Sequence, residues 1–170
     1  MSPKVAPKDH AGGADPRFSA WVMWATYAVG AVGIFVGFSS VAADPPTLGL
    51  GTFLAVGVTG VLSFVRHSLL FRSDAARMGW DYGRRNNFQI EVGLANLAWG
   101  AVAIAAVVLD WGMAVEAAMC LTMGCYLLGV AIMQIVAPGG QRRAPGPLIG
   151  ISSFAVALVA LGTAGIVALG

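Results

Sequence analysis

Ionisable and amide side chains set inside apolar sequence are the residues of this 170-residue chain best placed to do chemistry. A polar group removed from water is costly unless something pairs with it. The stretch Asn87-Phe88-Gln89-Ile90-Glu91, continued by Asn96, opens one long apolar run. On a helix Asn87 and Glu91 share one face, and Gln89 and Asn96 share another. Glu91 would lie about one turn inside that run, where desolvation disfavours its charged form. Facing a cavity, it would titrate a proton or coordinate a cation. Paired with His67 or a nearby arginine, it would instead lock two helices together. His67 is the only histidine outside the N-terminal stretch. An imidazole titrates near neutrality, which suits a proton shuttle beside Glu91; a merely solvated or hydrogen-bonded ring is the plainer alternative.

Two further groups belong to this reading. Glu116 comes early in the next apolar run, at the end where it would reach interfacial water, and Gln134 comes late in it. A short Asp110-Trp111-Gly112 turn implies that the two runs pack antiparallel. Glu91 and Gln134 would then face each other, and His67, Gln89, Glu91, Asn96 and Gln134 would form one polar cluster, ligand-binding or proton-linked. No metal site is expected, because the spacing of histidine, cysteine and carboxylates offers too few ligands. No nucleophile elbow, phosphate loop or dinucleotide fingerprint occurs, so neither a catalytic residue nor a cofactor is expected.

The elements that must position these groups follow from composition. The chain is 58% hydrophobic and only 11% charged, with a mean hydropathy of +0.78. A soluble domain carries about 25% charged residues, so a soluble enzyme is excluded, and disorder is excluded with it. The apolar residues form runs near the roughly 20 residues that cross a bilayer. The expected fold is all-α, a polytopic membrane helix bundle of five transmembrane helices. The spans fall at about 18–43, 47–65, 88–109, 113–137 and 148–169, after a polar tail over 1–17, with 18–170 forming the membrane domain. Val41-Ala42-Ala43 before Asp44 resembles a signal-peptidase site. The apolar region is longer than a cleaved signal uses, so the first run is read as a membrane helix.

With this count, all ten Lys and Arg residues fall in 1–17, 66–87 or 138–147, and the intervening turns hold only Asp44 and Asp110. Positive charge marks the cytoplasmic side, which predicts a cytoplasmic N-terminus and an outside C-terminus. The basic residues serve as topology signals, and a net charge of +2 gives no reason to expect nucleic acid. Segment 66–87 interleaves apolar residues with Arg66, Arg72 and Arg77, with Trp80 and Tyr82 at headgroup depth. It reads either as a continuation of the second helix or as an interfacial amphipathic helix.

Small residues recur at helical spacing at Gly33 and Gly37, Gly57 and Gly60, Ala160 and Ala164, and Gly162 and Gly165. In lipid such residues let helix backbones approach closely, within one protomer or between protomers. Cys120 and Cys125 are expected to be buried, inert thiols. Helices this rich in Gly and Ala bury little surface alone, so a homo-oligomer or a larger membrane complex is the expected state.

Gly79-Trp80, Phe88-Gln89-Ile90-Glu91-Val92, Ala95-Asn96-Leu97, Gly100, Gly129 and Ala144-Pro145-Gly146 together resemble an uncharacterised family of small bacterial integral membrane proteins. The resemblance covers roughly residues 64–150, and its most specific part is the Phe-Gln-x-Glu-Val and Ala-Asn-Leu core. It implies emphasis on His67, Gln89, Glu91 and Asn96 without naming a reaction. This chain departs from the family pattern at Asn87, where a proline is usual, and at Gln134, where a histidine is usual. A proton-linked or hydrogen-bonded role survives the second change better than metal binding does.

The function expected from these features is binding or movement of a small hydrophobic or protonatable compound across the bacterial cytoplasmic (inner) membrane. An accessory or structural subunit of a larger membrane complex is the alternative. A membrane enzyme using Glu91 and His67 as an acid–base pair ranks last, because five short spans leave little room for a substrate domain.

Overall fold

The computed structural model describes residues 14–80, 85–136 and 145–170. The expectations for residues 1–13, Tyr82 and the basic residues Lys4, Lys8, Arg84, Arg142 and Arg143 lie outside the described residues. Among those described there is no strand. Five helices are long and apolar enough to cross a membrane: α1 (Pro16–Val41), α2 (Gly49–Leu69), α4 (Asn87–Val108), α5 (Met113–Val136) and α6 (Pro145–Val167). A short sixth helix, α3 (Phe71–Arg77), follows α2 directly. The protein is an all-helical, multi-pass membrane bundle.

Local sequence explains the helix ends. Asp15 caps α1, its carboxylate accepting from the Arg17 N–H at 2.9 Å, and Pro16 takes the first helical position, where no N–H is needed. Asn86 caps α4 through the Gln89 N–H. The turn between α4 and α5 passes through Gly112 at φ 90°, a conformation suited to glycine. Successive long helices run antiparallel. One end of the bundle therefore collects the start of α1, the end of α2, α3 and the start of α4. The other end collects Leu48, Asp110 and the start of α5.

Close helix contacts are made at glycine. A Cβ on Gly33 would come within 2.5 Å of the Ala55 backbone nitrogen, and one on Gly60 within 2.6 Å of the Asn96 carbonyl oxygen. Gly57 lies against Ile104, Gly37 beneath Leu161, Gly162 against Leu121 and Gly165 against Leu48. All these contacts lie within one chain. The core they permit is made of Leu48, Ala55, Val56, Ala103, Ala117, Cys120, Met123, Leu158 and Leu161. Cys120 is buried there, but Cys125 is exposed on the outer surface. That corrects the expectation of two buried thiols: five residues along a helix is about 140° round from the buried face.

Over its described residues 66–80, segment 66–87 begins as a continuation of the second helix and then turns back. The second helix continues past Val65 to Leu69, but as a π-helical turn in which the Leu70 N–H donates to the Val65 carbonyl five residues back. The chain then breaks at Leu70 and starts α3, which packs on α1.

Candidate functional site: a buried carboxylate joining four helices

The break at Leu70 brings the site together. In one continuous helix His67 and Asp74 would lie about 10 Å apart along the axis. Instead, α3 folds back so that His67 Nδ1 lies 2.8 Å from Asp74 Oδ2. Asp74 is fully buried. Its Oδ1 accepts from the Ser19 hydroxyl at 2.6 Å and from Arg77 at 2.8 Å (Nη2) and 3.2 Å (Nε). Its Oδ2 accepts from Gln89 Nε2 at 3.1 Å as well as from His67. Arg66 Nε stands 3.8 Å from Oδ1. One carboxylate thus ties together α1 (Ser19), α2 (Arg66 and His67), α3 (Asp74 and Arg77) and α4 (Gln89). Ser73 adds a second clip, accepting from the Ser19 N–H at 3.0 Å and donating to the Asp15 carbonyl at 2.6 Å. The Ser19 N–H and the Asp15 carbonyl are the first donor and acceptor of α1, so the Ser73 hydroxyl pins the start of that helix.

The electrostatics are set by donor chemistry. Burial alone would raise the Asp74 pKa. Hydrogen bonds from His67 and Ser19, with the charge of Arg66, more than offset it and hold the carboxyl well below the usual carboxylate range. A guanidinium can only donate, so Arg66 Nη2, 2.8 Å from His67 Nε2, makes that nitrogen the acceptor. Nδ1 then carries the proton and donates to Asp74. This is the neutral Nδ1–H tautomer, its orientation fixed on both sides. A second proton on His67 would have to take the place of the Arg66 contact. Gln89 Oε1 is buried without a hydrogen-bond partner.

The expected cluster is therefore brought together only in part. His67 and Gln89 meet at Asp74, and Gln89 is 3% exposed. Glu91 is exposed and makes no ion pair or hydrogen bond through its side chain among the described residues. It follows Gln89 by two residues, about 200° round the helix, so burying Gln89 turns Glu91 outward. Asn96 is buried on the Gln89 face, but about 10 Å further along, and donates to the Val92 carbonyl of its own helix at 2.7 Å. Gln134 is half-buried on α5, its Oε1 lacking a partner, and it does not meet Glu91. Asp74, Ser19, Ser73 and Arg77 went unassigned in the sequence reading. The one available signal was Asp74 itself, an acid between apolar stretches with Arg77 three residues on.

A sequence-family model matches residues 46–161, most of the chain and a wider span than the resemblance noted above. The chain belongs to DUF6790, a family of unknown function. The matched span includes Arg66, His67, Asp74, Arg77 and Gln89, while Ser19 lies before it. Neither the curated proteins nor the solved structures contain a match.

Proposed function

We propose that this is a non-enzymatic protein of the bacterial inner membrane, N-terminus inside and C-terminus outside, that binds or moves a small protonatable compound. The Asp74 centre serves as its proton-responsive latch. One observation carries the reading: His67 is held neutral between Arg66 and Asp74 inside a π-helical turn. π-Helical turns of this kind often mark functional sites. Protonating the ring costs the Arg66 contact on α2 and strengthens the His67–Asp74 pair that holds α3, so the grip at this end of the bundle depends on proton occupancy. The orientation rests on the described arginines, Arg17, Arg66, Arg72, Arg77 and Arg85, which all belong to segments at the latch end.

An accessory subunit of a larger complex is the second reading. It is favoured by the saturation of Asp74, whose two oxygens each accept from two residues and leave no space for a ligand. Proteoliposomes under an imposed pH gradient, with a pH-sensitive dye inside, separate the two readings. Proton-linked handling predicts dye quenching above that of empty vesicles, reduced in His67→Gln with the fold intact. Quenching no greater than in empty vesicles, with foreign subunits retained on mild purification, would replace it with the accessory reading.

A further inference from the structure

The end of the bundle opposite the Asp74 centre holds a second buried carboxylate. Gln89 and Asp110 are separated by about 30 Å along α4. There Pro46, Thr47, Leu48, Gly49, Val107, Asp110, Met113 and Glu116 line an open cleft of about 370 Å³. Glu116 is only 7% exposed, yet its carboxylate makes no hydrogen bond or ion pair among the described residues. Glu116 lines the cleft, so what accessible surface its carboxylate keeps opens there. Five residues donate to or pair with the Asp74 carboxylate; among the described residues none does so for Glu116.

Two helix starts explain why a carboxylate is placed here. Glu116 is in the first turn of α5, and its Oε1 stands beside Gly49, 3.3 Å from where a Cβ on that residue would be. Gly49 begins α2, which has no side-chain cap. The positive ends of both helix dipoles favour negative charge at this point, but a dipole does not fill the carboxylate's acceptor positions. Asp110 lines the same cleft, Asp44 belongs to the neighbouring turn, and every described arginine belongs to the far end. Val107, Met113 and Leu48 supply apolar wall. Among the described residues no group of three or more His, Cys, Asp and Glu could hold a metal ion. The chemistry that matches is a cation with its own hydrogens to donate and an alkyl body to bury.

We propose that this cleft binds a small protonated alkylamine, its ammonium donating to Glu116 and its alkyl chain lying against Val107 and Met113. The site shares no residue with the Asp74 centre, and its test involves no protonation at His67, so either proposal can fail alone. The test is saturation-transfer NMR on the full chain in mild detergent, with n-butylammonium as probe and n-butanol and butyrate as controls. Transfer to butylammonium is expected to exceed that to both controls. Affinity should fall about tenfold or more in Glu116→Gln, the loss of one charge-assisted hydrogen bond. Asp110→Asn, which removes the more exposed charge, should weaken binding less and serves where Glu116→Gln does not fold. Equal transfer to butylammonium and butanol would overturn the proposal, and so would undiminished binding in a folded Glu116→Gln.

Discussion

Replacing Asp74 by asparagine keeps the side chain's volume and removes its charge, so the outcome measures what the carboxylate holds together. Ser19, Arg77, His67 and Gln89 all donate to it, and Arg66 lies within ion-pair range. The amide brings two donors of its own, so one side of the centre would face donor against donor. Breaking a buried ion pair by removing one partner costs about 3–5 kcal/mol. The low end applies here, because the Arg66 and Arg77 side chains keep 14% and 22% exposure and can turn toward headgroups. A loss of about 3 kcal/mol corresponds to a melting temperature lower by about 10 °C for a chain of this size. The assay is thermal unfolding in detergent, followed by the protein surviving on a sizing column. Hydrogen exchange at Phe71–Arg77 should rise at the same time, because α3 is tethered through this residue. A melting shift below about 2 °C with α3 still protected would refute the keystone role of Asp74.

Four further outcomes follow from the same geometry. The Asp74 pKa is depressed in the folded protein, so its contribution is fully present above the ordinary carboxylate range and lost as pH falls through that range toward the lowered value. Wild-type melting temperature should therefore drop from about pH 4 downward more steeply than that of Asp74→Asn, as melting curves at several pH values would record. Glu91→Gln, on the outer surface, should change stability by less than about 0.5 kcal/mol in the same assay. Gly60→Ala pushes a methyl to within 2.6 Å of the Asn96 carbonyl and should cost about 1–3 kcal/mol, whereas Gly150→Ala meets nothing within 4 Å and should be neutral in a side-by-side melt. Ser19→Ala removes the hydrogen bond donated to Asp74 and the longer one accepted from Arg77 Nε, and should cost about 1.5–3 kcal/mol, less than Asp74→Asn by chemical denaturation.

The architecture was legible because apolar run length reports directly on membrane helices, and the five helices of the bundle answer to five runs. The site was legible only in part. His67 and Gln89 stood out as polar groups at the edges of runs, and both reach the centre. Asp74 did not stand out, because its approach to His67 depends on a π-helical turn and a break at Leu70, which helical periodicity does not encode. The pairing of Gln89 with Asn96 and of Asn87 with Glu91 was readable, but not which face turned inward. Asp74 decides that: Gln89 donates to it, and Glu91 is left on the outside. Glu116 was placed near water by its position alone. The packing of Gly49 beside it, a contact between distant segments, narrows that access to one cleft.

The central claim is that His67 is clamped as a neutral ring between Arg66 and Asp74. Its most direct test is the pair of imidazole ¹⁵N chemical shifts of His67 at neutral pH, in lipid nanodiscs, with His10→Gln used for assignment. The account predicts a protonated Nδ1 and an unprotonated Nε2, a pattern lost in Asp74→Asn. A protonated Nε2 with a bare Nδ1, or a spectrum unchanged by Asp74→Asn, would contradict it.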